Sequence, residues 1–381
     1  MPGEVRHKDP PLPKEAGNSI VSEVLAFSLG GWRLLIVPVL ASAVVLEVLG
    51  GHPVLTFAAA SLAVVPLAGL LGHATDELAE HIGPAAGGLL NATLGNLAEL
   101  IIGVLALRQD QIEVVKASIT GSIIGNLLLV FGLAAFAGGL GREKLAFSSV
   151  AMGANTSMLF LAVVALVMPA LFQLLVFGSV QARGLRIEHL SLGVAGVLLL
   201  SYAASLVFML KTHRFLFRGE TGRSPTLRRT AALAVLVSVG VMVAVASDIM
   251  VGQIEAVTSA LGWTQLFVGV VVVATVGNAA EHSTAILAAR SGRMDLALHI
   301  AVGSSTQIAL FVAPLLVLLS AAIAAPMSLV FHPLEIAAVI LSVGAVAVVA
   351  MDGETNWLEG LQLIGIYAIL AVFFFVLPVS S

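Results

Sequence analysis

Ala92-Thr93-Leu94-Gly95-Asn96-Leu97-Ala98-Glu99 returns 182 residues later as Ala274-Thr275-Val276-Gly277-Asn278-Ala279-Ala280-Glu281, each copy inside a long apolar stretch. The same offset pairs Leu105-Ala106 with Leu287-Ala288, Arg108 with Arg290 and Gly121-Ser122 with Gly303-Ser304. Nine of the seventeen positions from 92 to 108 are identical. A carboxylate in a segment of hydrocarbon length costs about 3 kcal/mol on insertion scales, so such an acid is a functional candidate by default. A duplication kept for packing alone does not explain why its best-matched part contains the acids.

Composition sets the surroundings. The 381 residues are 59% hydrophobic and 10% charged, with a mean hydropathy of +1.06. Soluble domains carry about a quarter charged residues, so this is an integral membrane protein whose first partner is the lipid bilayer. Absence of cysteine excludes disulfides, thiolate metal sites and cysteine nucleophiles. Residues 1–33 are polar and hold Pro2, Pro10, Pro11 and Pro13, which reads as a disordered cytoplasmic tail ahead of a retained span.

At roughly 20 apolar residues per span, eleven spans are expected, near 34–50, 54–78, 87–107, 115–140, 148–171, 189–210, 229–252, 264–288, 296–322, 334–351 and 358–378. With the N-terminus cytoplasmic, 14 Lys and Arg fall inside and 4 outside (Arg108, Lys116, Arg183 and Arg186), which satisfies the positive-inside rule and puts the C-terminus outside. Six of the inside cations lie in 211–229, which divides the chain. The expected layout is a tail over 1–33, an extra helix over 34–52, a first five-helix repeat over 53–210, a basic cytoplasmic linker over 211–228 and a second repeat over 229–381. An odd number of spans per half makes equivalent helices run in opposite directions. The expected fold is therefore an all-α polytopic membrane protein with about eleven transmembrane helices, one N-terminal helix plus two inverted-topology repeats of five. Inverted repeats with Gly-interrupted segments are the mark of a secondary transporter, with its site where the halves meet.

Each residue of the frame has a chemical reason to be there. Glycine permits a helix break and close backbone approach, so Gly95 and Gly277 are expected to free carbonyls beside Glu99 and Glu281. Asn96 and Asn278 add amide oxygens. Carboxylates, carbonyls and amides form a hard, all-oxygen set suited to Ca2+, Mg2+ or Mn2+. Ser122, Asn126, Ser304 and Gln307 add polar groups in the following spans, either as site lining or as packing contacts. His282 breaks the internal symmetry, since Leu100 takes its place in the first copy, and is either a proton relay or a packed interfacial ring.

Gly72-His73-Ala74-Thr75-Asp76-Glu77-Leu78-Ala79-Glu80-His81, with Gly95 to Ile102, resembles the first repeat of the Ca2+/H+ exchanger (CAX) family of the cation/Ca2+ exchanger superfamily. Gly277 to His282, followed by Gly303-Ser304-Ser305-Thr306-Gln307-Ile308-Ala309-Leu310, resembles its second. The resemblance covers the chain after residue 33. It implies ten core helices in two inverted halves, often with one N-terminal helix more. It implies that Glu99 and Glu281 bind Ca2+ (Mn2+ as the alternative cargo) and H+ in alternation, supported by Asn96, Asn278, Ser122, Ser304 and Gln307. One departure is the linker, basic and short where some eukaryotic members carry an acidic helix.

Burial away from water disfavours the charged form of a carboxyl group, so each glutamate is expected to hold a proton when no cation is bound. One Ca2+ or two protons neutralise the pair, and mutual exclusion of the two loads couples them. The spans 54–78 and 229–252, nearly free of charge, suit sliding past a fixed site. His73, Asp76, Glu77, Glu80 and His81 at the cytoplasmic end of the second span are either a solvated helix end or a cation-collecting entrance. No enzyme is expected, since His-Glu-x-x-His and Gly-x-Ser-x-Gly frames are missing and Asp248 has no acidic partner. No cofactor and no nucleic-acid partner are expected, and a homo-oligomer is left open. The rival readings are a Na+/Ca2+ or other cation exchanger of the same superfamily and a divalent cation channel. Absence of a further acid in the core of the fourth and ninth spans favours protons as the counter-ion. The Ala-, Gly-, Val- and Leu-rich, Lys-poor composition points to a prokaryotic plasma membrane.

Overall fold

Backbone amides inside a bilayer must pair within their own segment, so apolar runs of this length fold as helices. The computed structural model describes residues 34–177, 185–213, 225–323 and 325–377. The expected tail 1–33, residues 214–224 of the expected linker and residues 378–381 lie outside the described residues. Helix α1 spans Ile36–Val48 and α2 Pro53–Glu80. The third apolar stretch is divided into α3, Pro84–Leu94, and α4, Leu97–Arg108. Then come α5 (Ile112–Gly139), α6 (Ser149–Phe177) and α7 (Arg186–Thr212). The second half holds α8 (Arg229–Gly252), a short α9 (Ile254–Leu261), α10 (Gln265–Arg290), α11 (Met294–Ala322), α12 (Pro333–Val349) and α13 (Trp357–Val376).

Among the described residues, nine helical stretches are long and apolar enough to cross a membrane. The two shorter apolar helices, α1 and α12, fall where the remaining two expected spans lie. Helix α9, which the apolar runs did not suggest, tucks Ile254 and Val257 against the bundle. Local chemistry sets the starts. Pro53, Pro84 and Pro333 open α2, α3 and α12, positions whose amide has no helical partner to lose. Ring nitrogens of His52 and His332 accept the N–H of Val54 and of Leu334, both at 3.3 Å.

The helices pack through small residues. A Cβ placed on Gly121 of α5 would stand 2.1 Å from the Val270 carbonyl oxygen of α10, and one on Gly269 would stand 2.4 Å from Ala117 Cβ. Without a hydrophobic force between helices in lipid, such close backbone approach is what holds a crossing together. Helices α2 and α8 lie side by side, and α1 packs on α2.

One departure from an all-helical chain joins the halves. Strand β1 (Leu145–Ala146) pairs antiparallel with β2 (Glu354–Thr355). The ribbon is extended by Phe147 N–H to the Gly353 carbonyl at 2.9 Å and by a Lys144–Glu354 ion pair at 2.6 Å. Nearby, the Arg142 guanidinium donates to the carbonyls of Gly138, Ala289 and Arg290, and Ser148 N–H donates to Asp295.

Gly121→Ala should therefore push α5 off α10 and yield little monodisperse protein on size-exclusion chromatography. Gly125→Ala, whose added Cβ meets nothing within 4 Å, should elute as the parent protein does. Equal behaviour of the two variants would refute the close crossing.

Candidate cation site

The first copy of the repeated frame breaks its helix and the second does not. Gly95 sits in a tightened turn where a Cβ would stand 2.5 Å from the Asn91 carbonyl oxygen, so no other residue fits without moving the chain. Asn96 follows at φ −99° and ψ 23°, off helical values, and caps α4. No backbone N–H among the described residues donates to the Gly95 carbonyl, as the expected break requires. Glu99 thereby falls in the first turn of α4, where the helix dipole favours a negative group.

In the second copy α10 runs unbroken through Gly277, so the expected break there is absent. The Gly277 carbonyl is paired within the helix, and the ligand role expected of it has no free oxygen to rest on. A Cβ on Gly277 would meet only Ile102 Cδ1 at 3.6 Å and Glu99 Cγ at 4.0 Å, ordinary contact distances, so no crowding marks this glycine as the Asn91 carbonyl does Gly95. Helix distortion sits one turn earlier instead, in the π-helical turns Val268–Val273.

The polar residues expected from the neighbouring spans meet the asparagines of the frame. The Asn96 amide donates to Gln307 Oε1 at 2.6 Å. Asn278 donates to Ser122 Oγ at 2.8 Å and to the Ala274 carbonyl at 2.9 Å. Asn126 donates to Asn278 Oδ1 at 3.3 Å, and the Ser304 hydroxyl lies near the Glu281 carboxyl group. Glu99 and Glu281 are close enough to repel one another. Beyond Ser122 and Gln307 both helices widen into π-helical turns, Gly125–Val130 in α5 and Ile308–Val312 in α11.

These bonds consume donors and leave acceptors. Asn96 Oδ1, Glu99 Oε2, Asn126 Oδ1 and Glu281 Oε2 are all buried with no hydrogen-bond partner. Buried polar groups are almost always satisfied, and these four orphans belong to the repeated frame and the span beside it, whereas Ser61 Oγ, Ser247 Oγ and Glu359 Oε2 are buried without a partner on α2, α8 and α13. Such a set suits a hard cation or protons on the carboxyl groups. A narrow cavity lined by Glu99, Ser118, Ser122, Asn278, Ile308 and Leu316 leads from the site towards the Ser118 end of α5. His282 follows Glu281 on α10, partly buried.

The second-span cluster divides. The Glu77 carboxylate accepts from the Thr226 N–H and hydroxyl, both at 2.8 Å, and from the Leu227 N–H at 3.0 Å. His81 Nε2 lies 2.7 Å from the Leu227 carbonyl oxygen. Glu77 and His81 thus tie the end of α2 to the chain entering α8. Asp76 accepts from Asn91 at 2.9 Å, whereas His73 and Glu80 are exposed.

Three residues escaped the sequence reading. Tyr202 of α7 donates its hydroxyl to the Ala92 carbonyl at 2.7 Å. Tyr367 of α13 lies near the Thr275 hydroxyl. Glu335, buried in the first turn of α12, accepts from Thr120 at 3.0 Å and from the His332 N–H at 2.8 Å. Signals existed: the chain has only two tyrosines, one in the last span of each half, and an acid three residues after a helix cap suggests a capping box.

The family model described as sodium/calcium exchanger protein matches residues 52–211 and 231–376. The chain belongs to this family. This exchanger-family chain is 44% identical over 349 residues to the Ca(2+)/H(+) antiporter of Synechocystis, covering 87% of the chain and 93% of that protein. It is 40% identical over 328 residues to the Ca(2+)/H(+) antiporter ChaA of Bacillus subtilis, covering 84% and 92%. Among solved structures, native YfkE shares 37% identity at a TM-score of 0.79, over 90% of this chain and 99% of that one. These matches bear out the resemblance read from the paired motifs.

Removing the Glu77 carboxylate tests its place in the fold. Glu77→Ala should lower the melting temperature by several degrees, since hydrogen bonds to a charged group contribute about 2 kcal/mol each. Apparent Ca2+ affinity should stay within about twofold, because no ligand changes. A weakened affinity at unchanged melting temperature would instead assign Glu77 to a cation entrance.

Proposed function

We propose that the protein is a secondary active antiporter that exchanges Ca2+ for H+ by alternating access, with Glu99 and Glu281 holding either one Ca2+ or two protons. The reading rests on one observation: four acceptor oxygens of the repeated frame and its neighbouring span, drawn from both halves of the chain, are buried without a hydrogen-bond partner. Asn96, Asn278, Ser122 and Gln307 orient the set, and the freed Gly95 carbonyl adds a further ligand. Relatives named as Ca(2+)/H(+) antiporters support Ca2+ as the cargo and protons as the counter-ion. Mn2+ is the alternative cargo that the same oxygen chemistry would admit.

Protons are favoured over Na+ by what surrounds the pair. Apart from Glu113 and Lys116 near one end of α5 and Asp295 and His299 near the start of α11, those two helices offer hydroxyls and amides only. Among the described residues no group of three or more His, Cys, Asp or Glu side chains gathers. Two carboxylates neutralise one divalent ion or two protons, and a site that crosses only when neutral couples the two flows. As pH falls, protons compete for the same oxygens and Ca2+ binding weakens.

The N-terminus is assigned to the cytoplasm and the C-terminus to the outside by the 14-to-4 asymmetry of Lys and Arg, in a prokaryotic plasma membrane. The halves, 53–210 and 229–381, are read as inverted repeats. With that orientation the cavity beside Glu99 leads outward. Helices α2 and α8 are read as the pair that slides to change the side of access.

Glu99→Gln and Glu281→Gln each mimic a permanently protonated acid and should abolish Ca2+ uptake driven by a pH gradient in proteoliposomes. Substantial uptake by either variant would sink the assignment, and competition by Na+, K+, Mn2+ and Mg2+ identifies the cargo. Exchange of two protons per Ca2+ moves no net charge. Clamping the membrane potential with valinomycin and K+ should therefore leave the coupled flux nearly constant; a steep voltage dependence would reject that stoichiometry.

A further inference from the structure

The two copies of the frame treat the same carbonyl differently. In α10 the Ala274 carbonyl accepts the side-chain amide of Asn278, four residues on, at 2.9 Å. Ala92 is its counterpart in the first copy, and in a continuous helix its carbonyl would pair with the Asn96 N–H. The chain breaks there, and the Ala92 carbonyl accepts the Tyr202 hydroxyl from α7 at 2.7 Å. Asn96, spared from folding back on its own helix, sends its amide to Gln307 of α11 at 2.6 Å. That bond fixes which way the amide faces, and its Oδ1 is one of the four orphaned oxygens of the cation site.

Tyr202 itself is held firmly. It is 5% exposed, and its ring stacks on Phe311 with centroids 5.2 Å apart and planes 22° from parallel. Phe311 lies in the π-helical turns that follow Gln307 on α11. One ring thus rests on the helix that carries Gln307 while its hydroxyl holds the helix that leads to Asn96. In the second half Tyr367 lies near the Thr275 hydroxyl instead, and the Ala274 carbonyl is left to Asn278.

We propose that Tyr202 is a positioning residue for the cation site: by occupying the Ala92 carbonyl it keeps the Asn96 amide on Gln307 and so aims Asn96 Oδ1 at the bound ion. The inference builds on the Ca2+/H+ reading of that site. Without the hydroxyl, the Asn96 amide would turn to the vacant Ala92 carbonyl, as Asn278 does to Ala274, and Oδ1 would swing out of the set. Tyr202→Phe keeps the ring on Phe311 and removes only the donor.

The test is equilibrium binding of 45Ca2+ to the purified full-length protein, paired with initial rates of uptake in proteoliposomes. Tyr202→Phe should weaken Ca2+ binding and raise the apparent KM by about five- to tenfold, the loss of one buried hydrogen bond. Maximal rate should stay within about twofold, since chemistry at the two acids is untouched. Tyr367→Phe, which leaves Asn96 and Gln307 in place, should bind Ca2+ as the parent does. In the Gln307→Ala background the Tyr202→Phe change should add no further loss, because its effect runs through that bond. Parental affinity in Tyr202→Phe, or full additivity with Gln307→Ala, would overturn the positioning role while leaving the site assignment standing. Failure of the parent protein to bind 45Ca2+ would overturn both.

Discussion

Two carboxyl groups that face each other in the dry interior of a membrane protein cannot both remain bare anions. Removing one such charge from water costs several kcal/mol even after relaxation, and like charges side by side add to the cost. The surroundings of Glu99 and Glu281 follow from that constraint. Amides donate to one another and to the Ser122 hydroxyl, and one oxygen of each carboxyl group is left without a hydrogen-bond partner. Such an arrangement is poorly satisfied when empty, and an unfilled site has every reason to take up a positive load.

The duplicated frame does not make a symmetric site. Its first copy breaks at Gly95 and Asn96, and the broken end presents a carbonyl and a helix N-terminus. Its second copy stays helical and sets Gly277 at ordinary contact distance from Ile102 and Glu99 of the first half. One half bends and the other stays straight, although both carry glycine at the same place in the frame.

Much of this was legible in the sequence because membranes impose strict rules. Hydrocarbon length located the helices to within a few residues, and the expense of buried acids singled out Glu99 and Glu281. The repeat offset then led to Asn278, Ser122 and Gln307, which form hydrogen bonds across the two halves. What the sequence could not carry was anything set by contact across the fold. Gly277 reads like Gly95 until α10 is seen to run unbroken through it. Glu77 and His81 look like a solvated helix end because their partners, Thr226 and Leu227, lie some 150 residues away. Tyr202 carries no motif at all; its role is visible only beside the Ala92 carbonyl.

The small ribbon between Leu145–Ala146 and Glu354–Thr355 limits which motions are available. Together with Arg142, which holds the end of α10, and Asp295, which holds Ser148, it stitches loops from both halves along one rim. Rocking one half against the other as rigid shells would shear that seam. Translation of α2 and α8 leaves it untouched, and Glu77 couples those two helices at their shared end. The seam acts as a keel: it removes the rotational degree of freedom and leaves a linear one.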